Sequence, residues 1–142
     1  MVRRTTVPSL FPPPGYAHAA VVETDTRLAF MAGSVPLDKD GTLVGPGDFA
    51  AQTEQVLANL ETALRAIGSA LDRVVSTDVY VVSSDPADLS RAWDVVHASG
   101  LTTAPHTSTL LGVACLGYPG QLVEITAVAE AGEADEATDQ GE

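Results

Sequence analysis

The sequence predicts one α+β domain, a mixed β-sheet with two helices on one of its faces. Three observations lead to this fold class: apolar runs and helical patterns alternate in the order ββαβαββ, no segment repeats, and no linker divides the 142 residues. With 45% hydrophobic and 18% charged residues, a chain of this length can bury its own core. We divide it into a proline-rich N-terminal segment (1–14), one domain (15–130) and an acidic tail (131–142) that we expect to be disordered.

The first half of the domain contains two predicted strands and a predicted helix. Apolar runs at Ala19–Glu23 and Arg27–Val35 flank a Thr-Asp-Thr turn, and this spacing indicates a β-hairpin. Asp48 is a suitable N-cap for a helix that runs to Ile67 and stops at Gly68. The apolar residues of this helix recur on one side, so we expect the helix to cover a sheet.

The second half adds a strand, a helix and two further strands. Val74–Ser83 alternates as a strand does, and Asp85 or Ser84 before Pro86 is typical of an N-cap and the first turn of a helix. Thr107–Leu116 and Leu122–Glu130 complete the sheet. These strands are apolar on both faces, whereas two helices can cover only one. We therefore expect another copy of the chain to cover the second face.

The charge and the single cysteine restrict the partners and the compartment. Seven Lys and Arg residues against 19 Asp and Glu residues give a formal net charge of −12, which repels phosphate backbones and anionic lipids. We therefore expect neither nucleic acid nor a membrane as a partner. Cys115 excludes an intrachain disulfide, and its apolar neighbours predict a buried, inert thiol. Because the sequence has neither a leader-like start nor an apolar run of about 20 residues, we expect a cytoplasmic protein.

Motifs for cofactors and metals are missing from the sequence. It contains no phosphate-binding glycine loop and no paired cysteines. The three histidines, His18, His97 and His106, are dispersed without the spacing of metal ligands. We therefore expect no cofactor and no metal.

Several short motifs, each weak alone, together resemble one family. They follow one another over about residues 15–129 and are Gly15-Tyr-Ala-His-Ala19, Phe30-Met-Ala-Gly-Ser-Val-Pro36, Gly41-Thr-Leu-Val-Gly45, Gln52-Thr-Glu-Gln-Val-Leu-Ala-Asn-Leu60, Val79-Tyr-Val81 and Leu116-Gly-Tyr-Pro-Gly-Gln-Leu-Val-Glu-Ile125. In these motifs the chain is similar to the Rid family (RidA/YjgF/YER057c/UK114). The resemblance implies a chorismate-mutase-like (YjgF-like) fold and a homotrimer with ligand clefts between subunits. It also implies hydrolysis of reactive enamines and imines such as 2-aminoacrylate.

The sequence departs from this family at the residue that binds the substrate carboxylate. The resemblance implies an arginine just before the penultimate strand, but alignment through Thr109 puts Ser108 there, and no arginine follows Arg91. Replacing a bidentate, charge-assisted contact by a hydroxyl costs about 2–5 kcal/mol in a desolvated site. We therefore expect the cleft to prefer a neutral, partly aromatic or apolar ligand.

Other family positions are partly changed and partly kept. Ala32 replaces a serine, Trp93 replaces an asparagine, and Thr126 replaces the second glutamate of the family's Val-Glu-Ile-Glu sequence. The residues that carry over are Tyr16, Gly33 and Glu124. By strand alternation Glu124 and Thr126 point to the same side, where Glu124 could activate a water.

These positions give the candidate catalytic and binding residues. The catalytic candidates are Glu124, His106 as general base, and Ser108; either Ser108 or Thr109 could orient a water. The candidates for substrate binding are Tyr16, Ala32, Gly33, Trp93, Thr109, Tyr118 and Thr126. Simpler alternatives remain open, namely a surface His106, a Trp93 that only packs under the sheet, a Tyr118 that packs in its turn and a Glu124 that is solvated or hydrogen-bonded.

Three hypotheses about function follow. The first is a Rid-like enzyme that hydrolyses a small imine, enamine or carbonyl compound, or transfers water or a proton to it. Such an enzyme would differ from the usual 2-aminoacrylate deaminase and suit a specialised biosynthetic step. The second is a non-catalytic trimer that binds a small molecule. The third, a ribonuclease, is disfavoured by the net charge of −12 and by the lack of a basic stripe.

Overall fold

The computed structural model describes residues 1–132, which form six strands and two α-helices. The elements are β1 (Val2–Thr5), β2 (Ala19–Val22), β3 (Leu28–Ser34), α1 (Phe49–Ala66), β4 (Val74–Val82), α2 (Pro86–His97), β5 (Thr107–Val113) and β6 (Val123–Glu130), with 3₁₀ turns at Leu71–Arg73 and Gly100–Thr102. From β2 onward the order is the predicted ββαβαββ. The predicted acidic tail lies, from position 133, outside the described residues.

Four strands form one mixed sheet in the order β3-β6-β4-β5. β4 and β5 run parallel, whereas β6 is antiparallel to both β3 and β4. Along the two central strands burial alternates with a period of two: Val79, Val81 and Ile125 are fully buried, while Tyr80 and Glu124 between them are partly exposed. The predicted α+β fold with a mixed sheet is confirmed.

Both helices pack on the buried face of this sheet. Val56, Leu60 and Leu64 of α1 and Ala92 and Val96 of α2 are all at most 1% exposed and belong to one core with the central strands. These residues recur at helical spacing on one side of each helix, so the apolar stripe of each helix meets the apolar face of the sheet.

The helix ends follow the predicted capping chemistry. The Asp48 carboxylate accepts a hydrogen bond from the Ala51 N–H at 3.0 Å, and the Asp85 carboxylate accepts one from the Ala87 N–H at 2.9 Å. Beyond α1, Gly68 adopts a φ of +73°, a conformation that glycine tolerates without strain.

The predicted hairpin between the first two apolar runs is wrong. A turn does form, since the Thr26 N–H donates to the Glu23 carbonyl at 3.3 Å. However, β2 pairs antiparallel with β1 in a separate two-stranded sheet, and β3 pairs with β6. β1 was not predicted, because the N-terminal segment is rich in prolines, which disfavour strands. Val2–Thr5 precedes the first of them, so its N–H groups are all available for pairing.

The second face of the four-stranded sheet carries exposed apolar side chains. Phe30 on β3 is 80% exposed, Leu111 on β5 is 42% exposed and Leu28 is 40% exposed. Polar side chains of the central strands stand between them, and here the Thr126 hydroxyl donates to the Asp78 carboxylate at 3.3 Å. Within one chain this face is left uncovered by the helices. No helix in residues 1–132 combines the length and apolar character needed to cross a bilayer.

The expected burial of Cys115 is wrong. β5 is shorter than the predicted strand Thr107–Leu116 and ends at Val113, which is paired with Val82, the last residue of β4. The apolar run continues past the point where a partner strand is available. The Cys115 thiol therefore lies exposed in the loop that leads to β6.

Candidate functional site

An open cleft lies where the N-terminal segment, α2 and β5 meet. Its volume is about 320 Å³. The residues that line it are Pro14, Tyr16, Trp93, Ser108, Thr109 and Leu110. The structure thus brings together Tyr16, Trp93, Ser108 and Thr109, four of the residues that the sequence singled out, although they lie far apart along the chain.

Trp93 forms the wall of the cleft on α2. It follows Leu89 by one helical turn, at the edge of the apolar stripe, so its ring contacts the core and remains partly exposed. The indole Nε1–H donates to the Pro14 carbonyl oxygen at 2.8 Å. The Tyr16 ring packs edge-to-face against the indole, with the ring centroids 6.1 Å apart. Trp93 therefore lines the cleft in addition to packing on the core.

Ser108 contributes a hydroxyl to a cleft without charge. Strand register pairs Ser108 with Thr77 of β4, and their side-chain oxygens lie 2.8 Å apart. The cleft-lining residues include no arginine, lysine, aspartate or glutamate. Throughout residues 1–132, no three His, Cys, Asp or Glu side chains come together as metal ligands would. Polar recognition in the cleft therefore depends on neutral hydroxyls.

Arg4 is the guanidinium that lies beside the start of β5. Its Nη1 donates to the carbonyl oxygens of Val74 and Pro105, both at 2.9 Å. Desolvation by burial lowers its pKa, although the negative charges of Glu130 and Asp72 oppose that shift. These bonds tie β1 to β4 and to the loop before β5, so the guanidinium serves the backbone and does not line the cleft.

The alternative of a surface His106 is wrong, because the side chain is fully buried beside the cleft. Its Nδ1 lies 3.3 Å from the Leu101 carbonyl oxygen, which only accepts, so Nδ1 carries the proton. No hydrogen-bond partner for Nε2 exists within the described chain. Burial lowers the pKa of His106 to about 4; the Leu101 carbonyl raises it and the charge of Arg4 lowers it further. His106 is therefore neutral at pH 7. Its ring, 6.3 Å from that of Trp93, does not reach the cleft surface.

A second group of candidate residues lies where β6 meets β3. A Cβ atom at Gly33 would overlap the Glu124 carboxylate, so the two residues are in direct contact. Glu124 Oε1 accepts a hydrogen bond from Gln121 Nε2 at 3.0 Å, and Gln121 Oε1 accepts one from the Tyr118 N–H at 3.2 Å. The Tyr118 side chain is half exposed, and Ala32 is exposed next to Gly33. Thr126 follows on the same face of β6 as Glu124.

The cleft and this second group do not meet within one chain. Ser108 is on β5 and Gly33 is on β3, the opposite edges of the sheet and three strand spacings, or about 14 Å, apart. Glu124 and Ser108 also face opposite ways. Ser108 bonds to Thr77 on the helix side, whereas Glu124 lies opposite Tyr80 on the uncovered side.

A family model described as Endoribonuclease L-PSP matches residues 10–131. The chain belongs to the Rid (YjgF/YER057c/UK114) family. It is 32% identical to HMF1 of Saccharomyces cerevisiae over 116 residues, which cover 80% of this chain and 82% of HMF1. DfrA of Myxococcus xanthus is 32% identical over 114 residues, 80% of this chain and 83% of DfrA.

Solved structures of Rid proteins share the fold. The Rid protein YyfB of Yersinia pestis, described as of unknown function, has a TM-score of 0.82 and 34% identity, covering 91% of this chain and 98% of its own. Rv2704 of Mycobacterium tuberculosis, a member of the YjgF/YER057c/UK114 family, has a TM-score of 0.60 and 29% identity, covering 92% and 99%. The Rid fold of this chain is therefore established by sequence and by structure.

Sequence reasoning missed two buried glutamines that shape the second group of this Rid-family chain. Gln52 is fully buried; it donates to the carbonyls of Gly45 and Gly120 at 3.2 and 3.1 Å and accepts the Leu122 N–H at 2.7 Å. Gln121 is 3% exposed and holds Glu124. Both lie in motifs that the family resemblance already marked, and Gln52 precedes Val56 and Leu60 at helical spacing on the buried side of α1. A buried amide there needs hydrogen-bond partners, and that need was the available signal.

Proposed function

We propose that this Rid-family chain acts on a small, uncharged imine, enamine or carbonyl compound, in a cleft shared by two copies of a homotrimer. One observation carries the proposal: the cleft has aromatic and apolar walls, no charged side chain, and Ser108 at the position aligned with a carboxylate-binding arginine. A substrate carboxylate there would lose water without gaining a partner charge. A neutral ring would instead gain contacts with Trp93 and Tyr16.

Two further observations support a cleft shared between copies. The group around Gly33 and Glu124 lies at the other edge of the sheet from Ser108, so the two groups can combine only across an interface. Phe30 and Leu111 supply exposed apolar surface for that interface. The expected assembly has a mass of about 44 kDa, three chains of 14.6 kDa.

In the proposed reaction, water adds to the C=N bond of the substrate. Glu124 of the neighbouring copy takes a proton from this water through Oε2, the oxygen that Gln121 does not bond. That proton passes to the substrate nitrogen and gives a carbinolamine. Its hydroxyl proton then moves to the same nitrogen as the C–N bond breaks, and a carbonyl compound and ammonia or an amine leave. Thr126 and the Gly33 N–H orient the water and the substrate. We assign proton transfer to Glu124 rather than His106 because His106 is fully buried.

A non-catalytic trimer that binds a small molecule is the alternative. It is favoured by the absence of any carboxylate or imidazole among the residues that line the cleft of one chain. The endoribonuclease in the family description gains no support here, because the chain has a net charge of −12 and an uncharged cleft. We place the protein in the cytoplasm, where an exposed thiol such as Cys115 stays reduced, and in a specialised biosynthetic step.

The test compares two substrates under the same conditions. One is 2-aminoacrylate, generated in situ; the other is N-benzylidenemethylamine, an uncharged aromatic imine whose hydrolysis releases benzaldehyde and methylamine. We expect the protein to accelerate hydrolysis of the neutral imine, and we expect Glu124→Gln to lose that acceleration. Hydrolysis of 2-aminoacrylate should stay close to its rate in buffer. Faster turnover of 2-aminoacrylate would overturn the proposal. Saturable thermal stabilisation by the neutral compound without any turnover would favour the binding alternative.

A further inference from the structure

The side chains of Thr77 and Ser108 form a hydroxyl pair at the edge of the cleft. Their oxygens are 2.8 Å apart, a distance at which either hydroxyl can be the donor. Their surroundings differ. Thr77 is 2% exposed, whereas Ser108 is partly exposed and lines the cleft.

This difference in burial decides which hydroxyl donates. If Ser108 donated to Thr77, the Thr77 hydrogen would be buried, and Thr77 Oγ1 makes no other hydrogen bond within residues 1–132. Leaving a buried donor unpaired is unfavourable. If Thr77 donates, its buried hydroxyl is satisfied, and the Ser108 hydrogen is free toward the cleft, where water or a ligand can accept it. Thr77 is therefore the donor and Ser108 Oγ the acceptor.

We propose that the Thr77–Ser108 pair makes the cleft selective for an uncharged ring compound that carries a hydrogen-bond acceptor, a carbonyl oxygen or an imine nitrogen, next to the ring. The ring packs between Trp93, Tyr16 and Leu110. The acceptor atom receives the free Ser108 hydrogen. This inference deepens the proposed function, since it concerns the same cleft, but it is a statement about binding and needs no turnover.

The free hydrogen also sets which ligands the cleft rejects. An ammonium or iminium group has only donors, so it cannot accept the Ser108 hydrogen, and the Thr77 hydrogen leaves it only one of the two lone pairs of Ser108 Oγ. The cation could gain only from the faces of Trp93 and Tyr16. A carboxylate would accept the Ser108 hydrogen, but its charge has no cation among the lining residues. Of the three classes, only the neutral acceptor takes the Ser108 hydrogen without bringing an unpaired charge into the cleft.

Trp93 is the only tryptophan of the chain, so its indole N–H gives a single side-chain cross-peak in a ¹H–¹⁵N spectrum of the full-length protein. Three probes share a phenyl ring and differ in the polar group: acetophenone, benzoate and benzylamine as its cation. We expect acetophenone to shift the indole signal in a saturable way and to bind at least 5-fold more tightly than either ion. Equal or tighter binding of benzoate or benzylamine would overturn the proposal.

Variants test the direction of the hydrogen bond. Ser108→Ala should weaken the binding of acetophenone about 5-fold, because one hydrogen bond is lost. The binding of toluene, which has no acceptor, should be unchanged. Thr77→Val removes the donor, so both lone pairs of Ser108 Oγ are then free and the hydroxyl can turn to accept from an ammonium. The ratio of acetophenone to benzylamine affinity should fall about 3-fold or more, and Thr77→Ser should restore it. Ser90→Ala, an exposed serine on α2, is the matched control.

The outcomes separate this inference from the proposed function. If the ratio of acetophenone to benzylamine affinity is the same in Thr77→Val as in the unsubstituted protein, Thr77 is not the donor, even if neutral imines are turned over. Selective acetophenone binding without turnover of any imine would support this inference and contradict the enzymatic proposal. A purely structural role for Thr77 would change all probe affinities together and leave their ratio unchanged.

Discussion

Gly33 has no room for a side chain, because the Glu124 carboxylate lies where its Cβ would be. The nearest atoms to that position are Oε2, the carboxyl carbon and Cγ of Glu124. The φ of Gly33 is not in the left-handed region, so glycine is favoured here by the space that the Glu124 side chain occupies and not by conformation. The contact ties the edge strand β3 to a carboxylate of β6 that Gln121 holds from the other side.

Gly33→Ala should destabilise the fold by about 1 kcal/mol, since the added methyl group must displace the Glu124 carboxylate from its hydrogen bond with Gln121. The measurement is urea unfolding. Gly117→Ala is the control, because a Cβ at Gly117 would meet no atom within 4 Å. Adding Glu124→Ala to Gly33→Ala should recover most of the loss, because the two residues are in contact and their effects are not additive. Additive effects of the two substitutions would contradict the contact.

Local chemistry made much of the fold predictable. Asp48 and Asp85 cap helices through bonds to residues two or three positions further on, and Gly68 ends a helix by its own conformation. The pairing of β2 with β1 was not predictable in this way. It is a contact between distant residues, and Val2–Thr5 has no turn that links it to a partner strand.

The candidate site, like the fold, was predictable from the sequence only in part. Family resemblance identified Tyr16, Trp93 and Ser108, and the structure brings all three to one cleft. The burial of His106 depends on the Leu101 carbonyl, so its position at a loop-to-strand junction could not reveal it. Thr77 was missed for a related reason, since only the β4–β5 register puts it beside Ser108.

The buried His106 should make stability depend on pH. Its pKa is about 4 in the folded chain against about 6.5 when unfolded, so the unfolded chain binds its proton more readily. The contribution of the neutral His106 ring to the free energy of unfolding is therefore complete above about pH 6.5 and is lost as the pH falls toward about 4. At about 1.4 kcal/mol per pKa unit the full loss is about 3 kcal/mol.

Urea unfolding at several pH values between 7.5 and 4.5 measures this effect. His106→Gln should lose less stability over that range than the unsubstituted protein, because the carboxylates common to both cancel in the comparison. His97→Gln, a substitution at an exposed histidine, is the control and should keep the original pH dependence. An identical pH dependence in His106→Gln and the unsubstituted protein would rule out the lowered pKa.

The exposed apolar residues on the uncovered face of the sheet should hold the proposed trimer together. Phe30→Glu places a charge on that face and should convert a species of about 44 kDa into monomers in sedimentation velocity. Phe11→Glu is a close control, since Phe11 is 81% exposed and Phe30 is 80% exposed, but Phe11 lies in the N-terminal segment and not on the sheet. A trimer that survives Phe30→Glu, or one that dissociates in Phe11→Glu alone, would contradict an interface on this face.

Restoring a guanidinium at position 108 should change which substrate the cleft accepts. Ser108→Arg introduces a planar fork that binds a carboxylate bidentately, at a strand position that already faces the cleft. We expect kcat/KM for 2-aminoacrylate to rise about 30-fold or more, the equivalent of about 2 kcal/mol, while binding of neutral ring compounds falls.

Ser90→Arg adds the same charge to the exposed side of α2 and separates a local effect from a change in net charge. Because the chain carries a net charge of −12, any added arginine attracts anionic substrates at long range. That attraction should be equal in the two variants and should weaken with salt, whereas the bidentate contact in Ser108→Arg should persist. If both variants gain equally on 2-aminoacrylate, position 108 has no special part in carboxylate binding.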